Sequence, residues 1–89
     1  MIADLREAKE HDHARPPGAT PVPDADVEIL AGMAARCDTL YLICRTGKRS
    51  IIATQALTQQ GIGNVVNVAG GMRAWIDNGL AVHGSRRPS

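Results

Sequence analysis

Short apolar runs alternate with polar stretches that contain glycine or proline, and this pattern divides the chain into strands and helices. Three of the runs are short and β-prone, which is typical of strands buried in a parallel sheet. They are residues 1–5, 40–43 and 64–68. The stretch 15–23 contains four of the chain's five prolines, so we expect it to form a rigid extended connection rather than a helix.

Between the first two strands, residues 24–36 have the pattern of an amphipathic helix. Four apolar residues follow the spacing i, i+3, i+4, i+7. They are Val27, Leu30, Ala31 and Ala34. We expect Asp24 to be the N-cap of this helix and the helix to end near Arg36.

A second helix follows the strand 40–43. We expect it to begin at Ser50, in the position of an N-cap, and to end at Gly61, a residue suited to the C′ position. On this helix Ile52, Ala56 and Leu57 are expected to face the sheet.

The last predicted helix covers residues 72–78 and is stopped by Gly79. The chain has no Phe, one Tyr and one Trp. Because large aromatic side chains contribute strongly to burial, we expect Trp75 to lie in the core.

Strands that alternate with helices of this length indicate βαβ units. We therefore expect an α/β fold in which a small parallel β-sheet is flanked by helices on both faces. The predicted domain covers residues 1–83, and residues 84–89 are expected to form a frayed C-terminal tail. In such folds ligand sites lie at the carboxyl ends of the strands, which is where Cys44 occurs.

Composition excludes several classes of function. A chain of 89 residues with 44% hydrophobic content fits one small globular domain. The net charge of +1 gives no electrostatic argument for a nucleic acid or an anionic membrane as partner. No apolar run reaches the length of a membrane span, and no signal peptide precedes the first strand, so we expect a cytoplasmic protein.

The most informative stretch follows the second predicted strand, where Cys44 leads into a short cationic loop. The loop contains Arg45, Lys48 and Arg49 and no acidic residue. Helix N-termini and neighbouring cations favour a thiolate. We therefore expect Cys44 to be a nucleophile of low pKa rather than a buried small hydrophobe. We expect Gly47 to supply a positive φ or the space of a missing Cβ.

Two similar loops are excluded by counting residues. A nucleotide-binding P-loop would need glycine where the chain has Leu42 and Ser or Thr where it has Arg49. Cysteine phosphatases generally have a Cys-x5-Arg loop, whereas Cys44 and Arg49 form Cys-x4-Arg. The shorter ring is too small for a phosphate group but can hold one sulfur atom or a persulfide.

Residues 44–50, Cys-Arg-Thr-Gly-Lys-Arg-Ser, resemble the Cys-Arg-Ser/Thr-Gly-x-Arg-Ser loop of the rhodanese-like (sulfurtransferase) domain family. Three further segments resemble motifs of that family in the same order. They are residues 4–7 (Asp-Leu-Arg-Glu), residues 17–23 (Pro-Gly-Ala followed by Pro23) and residues 70–82 (Gly-Gly-Met-Arg-Ala-Trp and Gly-Leu-Ala-Val). Together the motifs cover roughly residues 1–82.

The resemblance implies a sulfurtransferase. In such an enzyme the catalytic Cys44 takes sulfur from a small anion such as thiosulfate, forms a persulfide and passes the sulfur to cyanide, a small thiol or a protein thiol. The loop residues to which the resemblance assigns donor and persulfide binding are Arg45, Thr46, Gly47, Lys48, Arg49 and Ser50. Asp4 and Arg6 are expected to support the site as a bracing ion pair. The resemblance implies neither a metal nor another cofactor.

Two departures from the family pattern concern the amino-terminal part. In the family a further strand and usually a helix precede the Asp-x-Arg segment. A trimmed domain, a naturally short domain and a covering partner chain all explain their absence, and an uncovered edge would favour a homodimer. The family often has an aromatic residue at position 11 and His at position 15, where this chain has His11 and Arg15. We expect residues 7–15, including His13, to form a solvated loop that holds no metal.

Two alternative functions remain open at this stage. One is a sulfur-relay module that carries a persulfide and docks on a partner protein. The other is a phosphatase or arsenate reductase of the same fold, against which the loop length argues. The second cysteine, Cys37, is expected to have a structural role rather than to resolve a disulfide with Cys44.

Overall fold

The computed structural model of the chain describes residues 1–85. Strands and helices alternate strictly along it. In chain order they are β1 (Ile2–Asp4), α1 (Ala8–His13), β2 (Thr20–Pro21), α2 (Val27–Ala34), β3 (Leu40–Ile43), α3 (Lys48–Gln59), β4 (Val65–Asn67) and α4 (Gly71–Asp77). Residues 86–89 of the predicted tail lie outside the described residues. Ser85 lies within them, and its amide donates a hydrogen bond to the carbonyl of Asp12 at 2.9 Å.

The four strands form one parallel sheet in the order β2-β1-β3-β4. The chain moves outward from β1 to β2 and then in the opposite direction to β3 and β4. Because βαβ crossovers are right-handed, α1 lies on one face of the sheet and α2 and α3 lie on the other. The predicted α/β fold, with a parallel sheet between helices on both faces, is therefore confirmed.

The proline-rich stretch 15–23 contributes a strand, although we expected only a connection. Its β2 residues pair with β1, so β1 lies inside the sheet and the edges are β2 and β4. Pro21 has no backbone N–H, and an edge strand tolerates this because one side of the strand needs no partner.

The main core lies between the sheet and the two helices α2 and α3. Ten of its buried hydrophobic residues come from, or directly adjoin, β1, β3, β4 and these helices. They are Ala3, Leu5, Leu30, Met33, Ala34, Leu40, Leu42, Ala53, Leu57 and Val65. Within residues 1–85, no helix combines the length and apolar character that crossing a bilayer requires.

The predicted start of α2 is wrong by two residues. Asp26, not Asp24, is the N-cap: its side chain accepts hydrogen bonds from the amides of Glu28 and Ile29 at 2.9 and 3.2 Å. Asp24 precedes Ala25, whose φ of 51° places a turn between Asp24 and the helix. A carboxylate can cap only the amides two and three residues after it, so Asp26 is the acid in reach.

The segment 7–15 is not the solvated loop that we expected. It contains α1, and His11 on this helix is 6% exposed. The segment has no apolar periodicity because the buried face of α1 is polar, and this removes the pattern on which a helix prediction depends. His13 is exposed, as expected.

Helix α3 begins at Lys48, so Ser50 is not its N-cap; Gly47 has that position. The buried face of the helix consists of Ser50, Ala53 and Leu57. These residues follow the spacing i, i+3, i+7, so Ile52, two positions after Ser50, points away from the sheet. Its exposed fraction of 66% shows that the predicted orientation of Ile52 was wrong.

Trp75 is half-buried rather than part of the core. Its indole Nε1 donates a hydrogen bond to the carbonyl of Ala81 at 2.8 Å, and Leu80 beside it is exposed. Helix α4 buries only its first turn, through Gly71 and Met72. The indole of Trp75 therefore holds the segment after α4 instead of filling the interior.

Candidate functional site

The loop after β3 lies at the carboxyl end of the sheet, where the fold class places ligand sites. Ile43 ends β3 and pairs with Asp4 at the end of β1. Cys44 follows directly, and α3 begins at Lys48. The loop is only four residues long, so the first amides of α3 lie close to the cysteine side chain.

Two backbone amides and one hydroxyl surround the sulfur of Cys44. Sγ accepts hydrogen bonds from the amides of Gly47 at 3.1 Å and Ser50 at 3.4 Å. The hydroxyl oxygen of Ser50 lies 3.3 Å from Sγ and also donates to Oδ1 of Asn67, the last residue of β4. These contacts are the amide-lined environment that a thiolate needs.

The environment of Cys44 lowers the pKa of its thiol. Burial alone would raise the pKa, because it disfavours the charged form. The hydrogen bond between Sγ and the hydroxyl of Ser50 and the hydrogen bonds from the amides of Ser50, Gly47 and Arg49 act in the opposite direction, and together they outweigh burial. The net pKa lies below the ordinary value for cysteine, so the thiolate is favoured.

Cys44 is only 3% exposed, yet it lines an open pocket of about 320 Å³. The other residues that line this pocket are Arg6, Glu7, Glu10, Arg45, Thr46, Lys48 and Arg49. The volume is at the small end of the range for ligand sites. The sulfur is therefore within reach of a small molecule without being exposed on the outer surface.

The cations of the loop differ in their contacts. Arg45 is exposed, and its guanidinium pairs with the carboxylate of Glu10 at 3.1 Å. Arg49 donates from Nη2 to the carbonyl of Pro23 at 3.2 Å. In the described part of the chain, Lys48 has no carboxylate partner within 4.0 Å. Thr46 is exposed at the rim of the pocket.

Gly47 has the positive φ expected of it, 95°. The amide of Gly47 donates to Sγ of Cys44 at 3.1 Å, and the positive φ directs the chain from there into α3. A Cβ at this position would also approach the amide nitrogen of Gly70 to 3.2 Å. The conformation therefore favours glycine strongly, and the close packing adds to this preference.

The start of α4 is hydrogen-bonded to the backbone of the Cys44 loop. The amide of Met72 donates to the carbonyl of Cys44 at 2.8 Å, and the amide of Arg73 donates to the carbonyl of Arg45 at 3.0 Å. Gly71 makes this approach possible, since a Cβ there would overlap the backbone of Cys44 and Arg45. The glycine pair at 70–71 is thus part of the site, although it is distant in the sequence.

Asp4 and Arg6 form the predicted ion pair, and it is buried. The carboxylate of Asp4 accepts from Nε of Arg6 at 3.0 Å and from Nη2 at 2.8 Å. Nδ1 of His11 lies 2.9 Å from the same carboxylate. Burial would raise the pKa of Asp4, but hydrogen bonds from Arg6 and His11 lower it below its ordinary value. Asp4 therefore remains an anion.

The structure brings together all nine site residues predicted from the sequence, seven in the loop and two beside it. It adds four that the sequence analysis missed: Glu10, His11, Asn67 and Gly71. Each of the four reaches the site from another element through tertiary contacts. Only Gly71 lies in a segment, residues 70–82, that the sequence analysis matched to a family motif. Within residues 1–85, no group of three or more His, Cys, Asp or Glu side chains could hold a metal ion.

Cys37 donates from its thiol to the carbonyl of Met33 at 3.3 Å, which fits a structural role.

Comparison with known proteins shows similarity over almost the whole chain. The family model of the rhodanese-like domain matches residues 1–78. YrkF, a candidate sulfur carrier protein of Bacillus subtilis (strain 168), is 39% identical over 74 residues, which are 83% of this chain and 40% of YrkF. A sulfurtransferase of Allochromatium vinosum is 32% identical over 82 residues, which are 92% of this chain and 77% of that protein.

Solved structures have the same fold. A thiosulfate sulfurtransferase from Pseudomonas aeruginosa superposes with a TM-score of 0.79 at 30% identity, over 97% of this chain and 17% of that one. A rhodanese-related protein from Thermoplasma volcanium gives a TM-score of 0.73 at 28% identity, over 92% of this chain and 81% of that one. The chain thus spans less than half of YrkF and most of the Allochromatium and Thermoplasma proteins.

Proposed function

Because the chain belongs to the rhodanese-like domain family, we propose that it is a sulfurtransferase that carries sulfane sulfur as a persulfide on Cys44. The names of its relatives support sulfur transfer at the level of the family. The single observation that carries the proposal is the environment of Sγ, which accepts amide hydrogen bonds from Gly47 and Ser50, in a residue that lines an open pocket.

The first half-reaction is a nucleophilic substitution at sulfur. The Cys44 thiolate attacks the outer sulfur of a donor such as thiosulfate, so that a bond forms between Sγ and that sulfur. The S–S bond of thiosulfate breaks, and its electron pair leaves with sulfite. A persulfide anion remains on Cys44, and the loop amides stabilise its charge.

The second half-reaction returns the thiolate. An acceptor nucleophile, namely cyanide, a small thiol or a protein thiol, attacks the terminal sulfur of the persulfide. The bond between Sγ and that sulfur breaks, and its electron pair stays on Cys44. Lys48, Arg49 and Arg45 attract the anionic donor to the pocket, and the covalent intermediate on Cys44 makes the mechanism ping-pong.

Intact mass spectrometry tests the first half-reaction directly. The protein should gain the mass of one sulfur atom after treatment with thiosulfate and lose it after treatment with cyanide. The variant Cys44→Ser should keep the fold but show no gain. A persulfide on the Cys44→Ser protein, or none on the unaltered protein, would refute the proposal.

A second candidate function is a sulfur relay, in which a protein thiol is the only efficient acceptor. The similarity to YrkF, which is named as a sulfur carrier, favours this candidate. The two functions differ in the second half-reaction. Rapid discharge of the persulfide to a protein thiol, with negligible turnover to cyanide, would identify a relay.

A phosphatase or arsenate reductase activity has less support. The Cys-x4-Arg loop from Cys44 to Arg49 is one residue shorter than that of cysteine phosphatases. Absence of hydrolysis of a small aryl phosphate would be in line with the sulfurtransferase proposal.

We also propose that the chain self-associates. Tyr41 and Val66 are partners across β3 and β4, and both are more than 40% exposed. An apolar pair of this kind on a sheet face favours contact with another surface. Sedimentation as a monomer at high concentration would contradict this proposal.

A further inference from the structure

Arg6 is a buried charged residue whose hydrogen bonds leave one nitrogen free. It is 8% exposed. Nε and Nη2 donate to the carboxylate of Asp4, and Nη2 donates also to the carbonyl of Ala14. Within residues 1–85, Nη1 has no hydrogen-bond partner. Every fully buried side-chain nitrogen in that range has one, so Nη1 must retain access to solvent.

Arg6 is one of the residues that line the Cys44 pocket, and we infer that Nη1 reaches solvent there. The position of the guanidinium is fixed from the other side. Asp4, which is 0% exposed, holds it through two hydrogen bonds, and the imidazole of His11 contacts the same carboxylate at 2.9 Å. An anionic ligand in the pocket therefore meets two N–H donors on a rigid support.

The other cations of the pocket have different properties. Arg45 is paired with Glu10, and Arg49 donates to the carbonyl of Pro23. Both of these arginines and Lys48 are exposed, so binding an anion would cost each of them side-chain freedom. Arg6 has already lost this freedom on folding. Of the four cations, it is the one preorganised to hold a ligand in a fixed geometry.

We propose that Arg6 is a substrate-binding residue: Nη1 donates to a sulfonate oxygen of the sulfur donor while the outer sulfur of the donor faces Sγ of Cys44. Asp4 and His11 are positioning residues that act through Arg6. This inference rests on the proposed sulfurtransferase function and specifies the class of donor, a thiosulfonate anion such as thiosulfate. As the S–S bond breaks, negative charge grows on the sulfonate, and Nη1 stabilises it on the departing sulfite.

The variant Arg6→Lys tests the proposal. The ammonium of lysine keeps a cation beside the buried Asp4, so no unpaired charge is created, but Nη1 is lost. Because a hydrogen bond to a charged group is at stake, kcat/KM for thiosulfate should fall about ten- to a hundredfold. An alkyl persulfide, which has no sulfonate, should charge Cys44 with a much smaller loss of rate.

Arg36→Lys is the matched control, since Arg36 is exposed after α2 and does not line the pocket. His11→Phe and His11→Asn test the positioning role. Phenylalanine removes the contact with Asp4 and should raise KM for thiosulfate more than it lowers kcat. Asparagine restores a donor and should recover part of the loss. If Arg6→Lys lost the same fraction of its rate with thiosulfate and with the alkyl persulfide, the proposal would be overturned.

A second measurement does not depend on the folding of an Arg6 variant. In Cys44→Ser protein, thiosulfate binds without reacting, and the guanidinium signals of Arg6 can be followed by nitrogen-15 NMR. Saturation with thiosulfate should shift the Arg6 signals, and unmoved Arg6 signals at saturation would overturn the inference. Failure of the proposed function has a different signature, since neither donor would then place sulfur on Cys44 of the unaltered protein.

Discussion

The hydroxyl oxygen of Ser50 lies 3.3 Å from Sγ of Cys44. The same hydroxyl donates its single proton to Oδ1 of Asn67. It can therefore accept from the protonated thiol of Cys44 in this arrangement, but it must turn its proton toward Sγ to stabilise the thiolate. Asn67 allows that change, because its amide can turn to present Nδ2 as a donor to the Ser50 oxygen.

Removing the Ser50 hydroxyl should raise the pKa of Cys44. In the unaltered protein, the rate of alkylation by iodoacetamide should rise with pH, and the midpoint of this rise should lie below the ordinary pKa of a cysteine thiol. In Ser50→Ala this midpoint should move to higher pH, because the sulfur retains its amide donors but loses the hydroxyl. Thr54→Ala, on the same helix and away from the pocket, is the control. Identical profiles for Ser50→Ala and unaltered protein would contradict this reading.

Replacing Asn67 with aspartate should raise the pKa of Cys44 as well. A carboxylate accepts but cannot donate, so it would keep the proton of Ser50 away from the sulfur. Its negative charge would also disfavour a second anion nearby. We expect slower alkylation at neutral pH and slower sulfite release from thiosulfate in Asn67→Asp. Asn78→Asp, exposed at the end of α4, should leave both rates unchanged.

Asp4→Asn should destabilise the fold by about 3–5 kcal/mol, because it leaves the charge of Arg6 buried without its anionic partner. The exposed Asp24→Asn should change the free energy of unfolding by no more than about 0.5 kcal/mol. Unfolding in urea measures the change in the free energy of unfolding for both variants. A loss below about 1 kcal/mol in Asp4→Asn would show that the ion pair is not the support described above.

The lowered pKa of Asp4 also predicts how stability depends on pH. The pKa of the folded state lies below that of the unfolded state, about 3.9. The resulting stabilisation is fully present above that unfolded value and is lost as the pH falls through the folded value. The urea midpoint should decline in this acid range, and the decline should be shallower in Asp4→Asn than in the unaltered protein.

Gly71→Ala should lower the stability of the fold and displace the backbone of the Cys44 loop. Gly71 has a φ of 58°, and a Cβ would overlap the backbone of Cys44 and Arg45. Gly61 is the matched control: its φ of 86° is also positive, but a Cβ there would meet nothing within 4 Å. Gly61→Ala should cost about 1–2 kcal/mol from backbone conformation alone, and Gly71→Ala about 1–3 kcal/mol more from overlap. Equal losses in the two variants would show that α4 does not press on the loop.

The Cys44 loop could be predicted from the sequence because its chemistry is local. The strand before it, the positive φ of Gly47 and the start of a helix after it lie within a few residues of one another. The parallel sheet could be predicted for the same reason, because the alternation of strands and helices is also a local pattern along the chain. Boundaries were less certain: Ser50 looks like an N-cap by residue type, but its side chain contacts Cys44 and Asn67 instead of capping amides.

The polar contacts from distant elements could not be predicted. His11 lies in a stretch without apolar periodicity, and its burial follows from the carboxylate of Asp4, which α1 covers. In the sequence, Asn67 is one residue of a predicted strand that is rich in β-branched residues. Only the pairing of β3 with β4 brings it close to Ser50. Trp75 shows the converse: residue type indicates burial, but α4 buries only its first turn, and the indole donates to the carbonyl of Ala81.

The bonds from Met72 and Arg73 to the carbonyls of Cys44 and Arg45 fix the direction of two peptide planes. In a trans peptide the N–H points opposite to the C=O. Drawing those two carbonyl oxygens toward α4 therefore turns the N–H groups of Arg45 and Thr46 away from it. The dipoles of the loop are thus oriented by a segment 28 residues downstream. An amino-acid change there could retune sulfur reactivity while every residue of the loop stayed the same.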